Sequence, residues 1–352
     1  TFNVCNFSDK SVESIDHKSA TIDYLLAGVS LPIMMPGLKI GEQWYSDAVW
    51  IKDANLMEAV RRGAEELWLV WAIGNTPTYL SGALNQYVHM IEMSANGGLL
   101  EEYDRIAMVN EKIINGQEAY GQKKPIRLFV IKPSLPLPLD PDLFFNKIDA
   151  RSLVNMGYAH GKKALKSMPE QGVPMDEKAT KMNSPGNRLN IRSEFTGTLS
   201  QGEKKIKSQF YTYFVLSELE GSTNLNIYSS FKMEGFEFEI SCYDHRIKTF
   251  DKDRKRMIEC TCSYLHAGEV HGLTVTFAFS SATEIMLGLA FKSVYIEVSK
   301  KPSKPIASGV LYQSAGQRIK NLFPNNTRKP DGTSGRVSLK YKLATKLLKY
   351  AV

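Results

Sequence analysis

Two periodicities divide this chain. In residues 54–63, Leu56, Ala59, Val60 and Gly63 fall on one helical face and Glu58, Arg61 and Arg62 on the other. The apolar run Glu66-Leu67-Trp68-Leu69-Val70-Trp71-Ala72-Ile73 follows without polar alternation, which predicts a strand buried on both faces. Upstream, Ala27-Gly28-Val29-Ser30-Leu31-Pro32 closes a short helix, and residues 38–45 read as a hairpin with Gly41 at its turn. Downstream, helical spacing over 79–93 and 99–115 predicts two helices parted by Ser94-Ala95-Asn96-Gly97-Gly98, then a strand at 126–131. The proline-rich stretch 133–142 cannot be regular structure, and helix returns over 144–168. Residues 1–168 are therefore expected to form an α/β domain of parallel strands with flanking helices.

Residues 169–190 are rich in Pro, Gly, Lys, Asp and Asn without a period and read as a linker. From 191 to 299 the period becomes two. Runs at 210–216, 236–240, 256–264, 273–279 and 294–298 alternate and are rich in aromatic and β-branched residues. An antiparallel sandwich or open barrel is expected, with Phe210, Tyr213, Phe238, Tyr264 and Phe277 filling its core or lining a lipid-sized groove. Residues 300–352 form a basic tail in which Leu339, Leu343, Leu347 and Tyr350 make a helical stripe.

Charge and cysteine content refine this picture. The 352 residues carry a formal net charge of +7, yet the tail alone has twelve basic residues against Asp331, a net +11 that leaves −4 for the rest. A basic amphipathic helix suits an anionic membrane surface or docking on the chain's own acidic remainder. The tail has no helix-turn-helix or finger pattern, so nucleic acid is not expected as a partner. No apolar run reaches the ~18 residues of a membrane-spanning helix. Four irregularly placed cysteines, Cys5, Cys242, Cys260 and Cys262, suit a reducing, cytoplasmic setting. Cys260 and Cys262 share a strand face, and with Cys242, His245 and His266 they would need to converge tetrahedrally to bind zinc. Core packing is the reading adopted, so neither a metal nor a cofactor is expected. His160 reads as a surface or packing residue.

Asp47 is the candidate for chemistry. It stands where the second hairpin strand gives way to a loop, on a rigid scaffold that can aim its carboxylate. An aspartate there is also a common turn former, and Asp53 could cap the next helix. The order Ala27-Gly28-Val29-Ser30-Leu31-Pro32, a hairpin, Asp47-Ala48-Val49 and Arg62-Gly63-Ala64 before an apolar strand resembles the C-terminal half of the catalytic domain of patatin-like phospholipases. Thr1-Phe2-Asn3-Val4 resembles a strand that this family places well after its nucleophile. The loop Leu137-Pro138-Leu139-Asp140-Pro141-Asp142 with Met156-Gly157-Tyr158 extends the likeness to about residue 168. The all-β segment, with Ser193-Glu194-Phe195-Thr196-Gly197-Thr198 near its start, looks like a module accompanying some bacterial lipid-related enzymes, among them cholesterol-oxidase-like flavoproteins and patatin-like proteins.

The resemblance implies a serine–aspartate dyad with Asp47 as base, a lipid or phospholipid substrate and no cofactor. The chain would then begin in mid-domain, because neither Gly-x-Ser-x-Gly nor a glycine-rich oxyanion loop occurs in it. Where the family has Asp-Gly this chain has Asp47-Ala48, whose Cβ would strain a turn of positive φ. Ser30 is a candidate substitute nucleophile without an elbow around it. Two function classes follow. One is a lipid acyl hydrolase whose nucleophile lies on a segment or partner chain outside these residues; the other is a non-catalytic lipid-binding or scaffold protein derived from the same fold.

Overall fold

The computed structural model describes residues 1–74, 79, 81–133, 150–182, 186–219, 222–235, 240–242, 246–266, 269–286, 292–300, 305–315, 327–328 and 337–349. The chain divides into two compact units. The first comprises Thr1–Phe145 with Ala164–Asn183, and the second Asn146–Lys163 with Ser184–Val352.

The first unit opens with strands β1 (Phe2–Asn6) and β2 (Ser11–Ile15), helix α1 (Ile22–Gly28), and strands β3 (Leu38–Ile40) and β4 (Gln43–Ser46). Gly41 takes a φ of +61° in the β3–β4 turn, as the hairpin required. The four strands pair in the order β2-β1-β4-β3, all antiparallel. Val4, Ile15, Ala27 and Tyr45 pack beneath them. This corrects the expected parallel sheet: two hairpins, β1–β2 and β3–β4, each reverse the chain, and β4 joins β1 antiparallel.

Helix α2 (Leu56–Arg61), strand β5 (Glu66–Val70), helix α3 (Ala83–Ile114) and strand β6 (Arg127–Ile131) follow in the same unit. Among the described residues, only β5 and β6 pair in parallel. Leu67 and Leu69 face a core shared with Val60, Leu99, Tyr103 and Leu128, whereas Trp68 and Val70 are 47% and 73% exposed. The strand predicted to be buried on both faces is thus covered on one. The two helices expected around Ser94–Gly98 are one continuous helix, α3. The stretch read as a linker places Val173, Met175, Ala179 and Met182 against the same core. Its backbone joins β6 through the Val173 N–H, which donates to the Leu128 carbonyl at 2.7 Å. The prolines at 134–142 lie outside the described residues.

The second unit holds helix α4 (Ala150–Ser167) up to its division at residue 163, and strands β7 (Arg188–Gln201), β8 (Lys204–Leu219), β9 (Ser222–Met233), β10 (Ile240–Cys242), β11 (Arg246–Lys252), β12 (Lys255–His266) and β13 (Glu269–Phe279). Helix α5 (Ala282–Met286), strands β14 (Ser293–Lys300), β15 (Pro305–Gln313) and β16 (Thr327–Arg328), and helix α6 (Val337–Leu348) follow. Among the described residues, nine strands run β10-β9-β8-β7-β15-β14-β13-β12-β11, with β16 beside β7, in one antiparallel ten-stranded sheet.

The sheet is strongly curled. Strands β8 and β13 are four places apart, about 19 Å on a flat sheet, yet the Phe214 and Phe277 rings lie 4.8 Å apart. One core cluster therefore joins Phe210, Tyr264, Phe277, Cys260 and Cys262. Tyr213, also buried, points to the opposite face from Phe210; Phe238, His245 and the side chains of Cys242 and His266 lie outside the described residues.

The tail belongs to this unit. Strand β15 pairs with β7 and β14, and α6 places Leu343, Ala344 and Leu347 in the sheet's core. Lys346 pairs with Glu218 of β8. The apolar stripe of the basic helix is thereby covered by the chain itself at Leu339, Leu343 and Leu347, while Tyr350 lies outside the described residues. Among the described residues, no helix is long and apolar enough to cross a membrane.

Candidate functional site

Asp47 directly follows β4. Its backbone N–H donates to the Ser30 carbonyl at 3.1 Å, which ties the end of the hairpin to the end of α1. One carboxylate oxygen accepts the Val49 N–H at 2.9 Å, the geometry of an Asx turn. Ala48 is buried and does not lie at positive φ, so alanine fits this turn. Burial raises the proton affinity of Asp47, and the Val49 N–H partly offsets it. Asp53 is pushed up to about 6, first by the desolvation of its carboxyl and then by the charge of Asp47.

One stripe of α3 holds the loop that carries both aspartates. The Ser94 hydroxyl lies 3.0 Å from the Val49 carbonyl and 2.7 Å from that of Trp50. Gly98 lets the helix approach so closely that a Cβ there would stand 3.4 Å from the Ile51 carbonyl oxygen. Glu102 is 3% exposed and pairs with Lys52 at 2.8 Å. It also accepts the Leu56 N–H at 2.9 Å and the Met57 N–H at 3.3 Å. Helix α2 has no hydrogen-bonding cap from its own N-cap residue, Asn55, so a carboxylate on another helix satisfies its first amides. The Asn3 amide also donates to the Lys52 carbonyl at 3.2 Å.

Residues 94, 98 and 102 recur every four positions, the spacing of one helical face. That signal was present in the sequence, hidden because Ser94–Gly98 reads as a helix break. Ser30 is buried, and its hydroxyl donates to the Leu26 carbonyl at 2.7 Å, a helix-end bond rather than the pose of a nucleophile. His160 lies in the other unit, on α4, with Nε2 3.0 Å from the Tyr228 hydroxyl. Burial and then the Lys163 charge bring it down to about 4, so it is neutral at physiological pH.

An open groove of about 470 Å³ lies elsewhere on the first unit, between Asn110 and Glu111 of α3, Arg127 of β6 and Gln171, without reaching Asp47. Among the described residues, no three His, Cys, Asp or Glu side chains are grouped to hold a metal ion. No family model matches the chain, and neither a curated protein nor a solved structure matches it.

Proposed function

We propose that Asp47 is the general base of a patatin-like lipid acyl hydrolase whose serine nucleophile is supplied by a segment or partner chain outside these 352 residues. The observation that carries the reading is Asp47 itself: a partly buried carboxyl of raised proton affinity, fixed at a strand end by Ser30, Val49 and the α3 clamp. A carboxylate with raised proton affinity is the better acceptor for a serine proton. In this mechanism Asp47 takes that proton as the hydroxyl attacks the ester carbonyl, and returns it to the leaving alcohol. The surface of β5 supports an external segment. Among the described residues β5 pairs with β6 alone, and its outer face presents Trp68 stacked on Phe129 at 4.5 Å beside exposed Val70.

The substrate class is a lipid or phospholipid ester. Unpaired Cys5, Cys260 and Cys262 agree with a cytoplasmic setting. Recruitment to an anionic membrane would fall to exposed lysines such as Lys342 and Lys349, because the apolar stripe of α6 is packed inward.

The second reading, a non-catalytic lipid-binding or scaffold protein, is favoured by the use of the Asp47 carboxylate as a turn acceptor. An esterase assay separates the two. The 352-residue chain alone should not hydrolyse a short-chain nitrophenyl ester, and the same chain extended upstream should. Asp47→Asn in the extended chain should abolish turnover with a melting midpoint no lower than the parent's, since the amide oxygen still accepts the Val49 N–H and a partly desolvated charge is removed. An extended chain carrying a serine elbow that hydrolyses the ester equally well with the Asp47→Asn substitution would refute the dyad.

A further inference from the structure

The register of the ten-stranded sheet builds three rows on its core face. Ile191, Phe214 and Ile227 lie side by side on β7, β8 and β9, as do Phe195, Phe210 and Phe231. Between them runs Ser193, Thr212 and Ser229. A row of small hydroxyl side chains thus lies between two rows of large apolar ones, each about 7 Å away along the strands. The Phe277 ring reaches across from β13, 4.8 Å from Phe214, 6.3 Å from Phe195 and 6.4 Å from Phe210.

That ring accounts for the small size of the row but not for its hydroxyls. Valine has the shape of threonine, and alanine would leave the same room as serine. Ser193 and Thr212 are both 0% exposed, and neither hydroxyl oxygen has a hydrogen-bond partner among the described residues. Gln313 of β15 is opposite Phe195, two residues along β7 from Ser193, within diagonal reach of a long side chain. It is 4% exposed, and both atoms of its amide are likewise unpartnered. Buried polar groups are nearly always paired, because desolvation without a new bond is unfavourable. Three orphaned groups in one patch of one sheet face mark a place built for a polar partner.

We propose that this patch seats the hydroxyl-bearing head of a neutral single-chain lipid of the monoacylglycerol class. Its chain would lie along the Phe and Ile rows, in the space the Phe277 ring now covers. The three rows contain no charged side chain, which disfavours a carboxylate or phosphate head without a paired cation. Ser193, Thr212 and Gln313 offer donors and acceptors together, the complement of a hydroxyl, which is both. The spacing between the hydroxyl row and each wall suits one chain rather than two. No part of this inference uses Asp47.

Equilibrium dialysis of the 352-residue chain against radiolabelled 1-monooleoylglycerol, below its aggregation threshold, tests it. The parent should bind saturably at one site, Thr212→Val about tenfold more weakly, and Ser193→Ala/Thr212→Val more weakly still. The ligand-free Thr212→Val chain should also melt at a higher temperature than the parent, because an unsatisfied hydroxyl has been removed. No saturable binding by the parent, or equal affinity in the folded variants, overturns the site. A lower melting midpoint for Thr212→Val overturns it too, since the hydroxyl is then already bonded within the fold. Oleate bound as tightly as the monoacylglycerol overturns the neutral-head assignment.

Discussion

Removing the Glu102 carboxylate should loosen the loop that carries Asp47 by a calculable amount. Glu102→Ala deprives the Leu56 and Met57 amides of their acceptor and leaves Lys52 without its ion partner. Breaking a buried pair from one side costs about 3–5 kcal/mol; the Lys52 side chain is 25% exposed, so the lower end, about 3 kcal/mol, applies. Glu102→Gln keeps one acceptor oxygen but loses the charge and turns an NH2 toward the other backbone amide, for about 1–2 kcal/mol. With a urea slope near ~2 kcal/mol per molar, the midpoint should fall by about 1.5 M for alanine and about 0.5–1 M for glutamine. All four tryptophans, Trp44, Trp50, Trp68 and Trp71, lie in the first unit, so tryptophan fluorescence isolates its transition. Equal midpoints for the two variants, or an alanine shift under about 0.5 M, would show that Glu102 neither caps α2 nor anchors the loop.

Asp53 has a pH signature. Its carboxyl is raised to about 6, so the folded chain favours the protonated form. Stability is intact below about pH 4, falls as pH rises through 4 to 6, and is then level. Asp53 is exposed to solvent along part of its surface, which screens the effect to the order of 1 kcal/mol. Asp53→Asn should therefore gain on the parent between pH 4 and 7 in urea titrations, and parallel pH profiles would refute the desolvation of the Asp53 carboxyl and its crowding by Asp47. Leu343→Ala on α6 removes a fully buried side chain and should lower the stability of the second unit by about 2–5 kcal/mol. Far-UV circular dichroism should show this loss while the tryptophan transition stays in place; an unshifted β transition would mean that α6 is not part of that core.

Much of this architecture could be read from residue patterns. Gly41 at a hairpin turn and the period-two runs at 210–216, 256–264, 273–279 and 294–298 are local signals, and each became a strand. Other features depend on distant partners. Gly97-Gly98 has the composition of a break, yet the helix continues through it because Gly98 is needed where α3 meets the Ile51 backbone. Trp68 and Val70 carry the apolarity of a doubly buried strand, but apolarity does not specify whether both faces are covered. The stripe Leu339, Leu343 and Leu347 announced an amphipathic helix without naming the surface that takes it, here the chain's own sheet. At the candidate site, the position of Asp47 after a strand was legible. Its support by Ser94 and Glu102 was not, because it arises from residues more than forty positions away.

The way the chain passes between the two units bears on its synthesis. Residues 146–163 belong to the second unit and are followed by 164–183, which return to the first. No single cut yields either unit whole, so truncation at the apparent boundary would strip α4 from the β unit or the 173–182 packing from the first. During vectorial synthesis the last of these residues to join the first unit is 183. The second must wait beyond residue 313, since β7 finds its partner β15 more than a hundred residues later. Until then the edge of β7 and the apolar face of an incomplete sheet stay open to wrong partners. Chaperone demand and aggregation of nascent chains should therefore peak in the interval between β7 and β15.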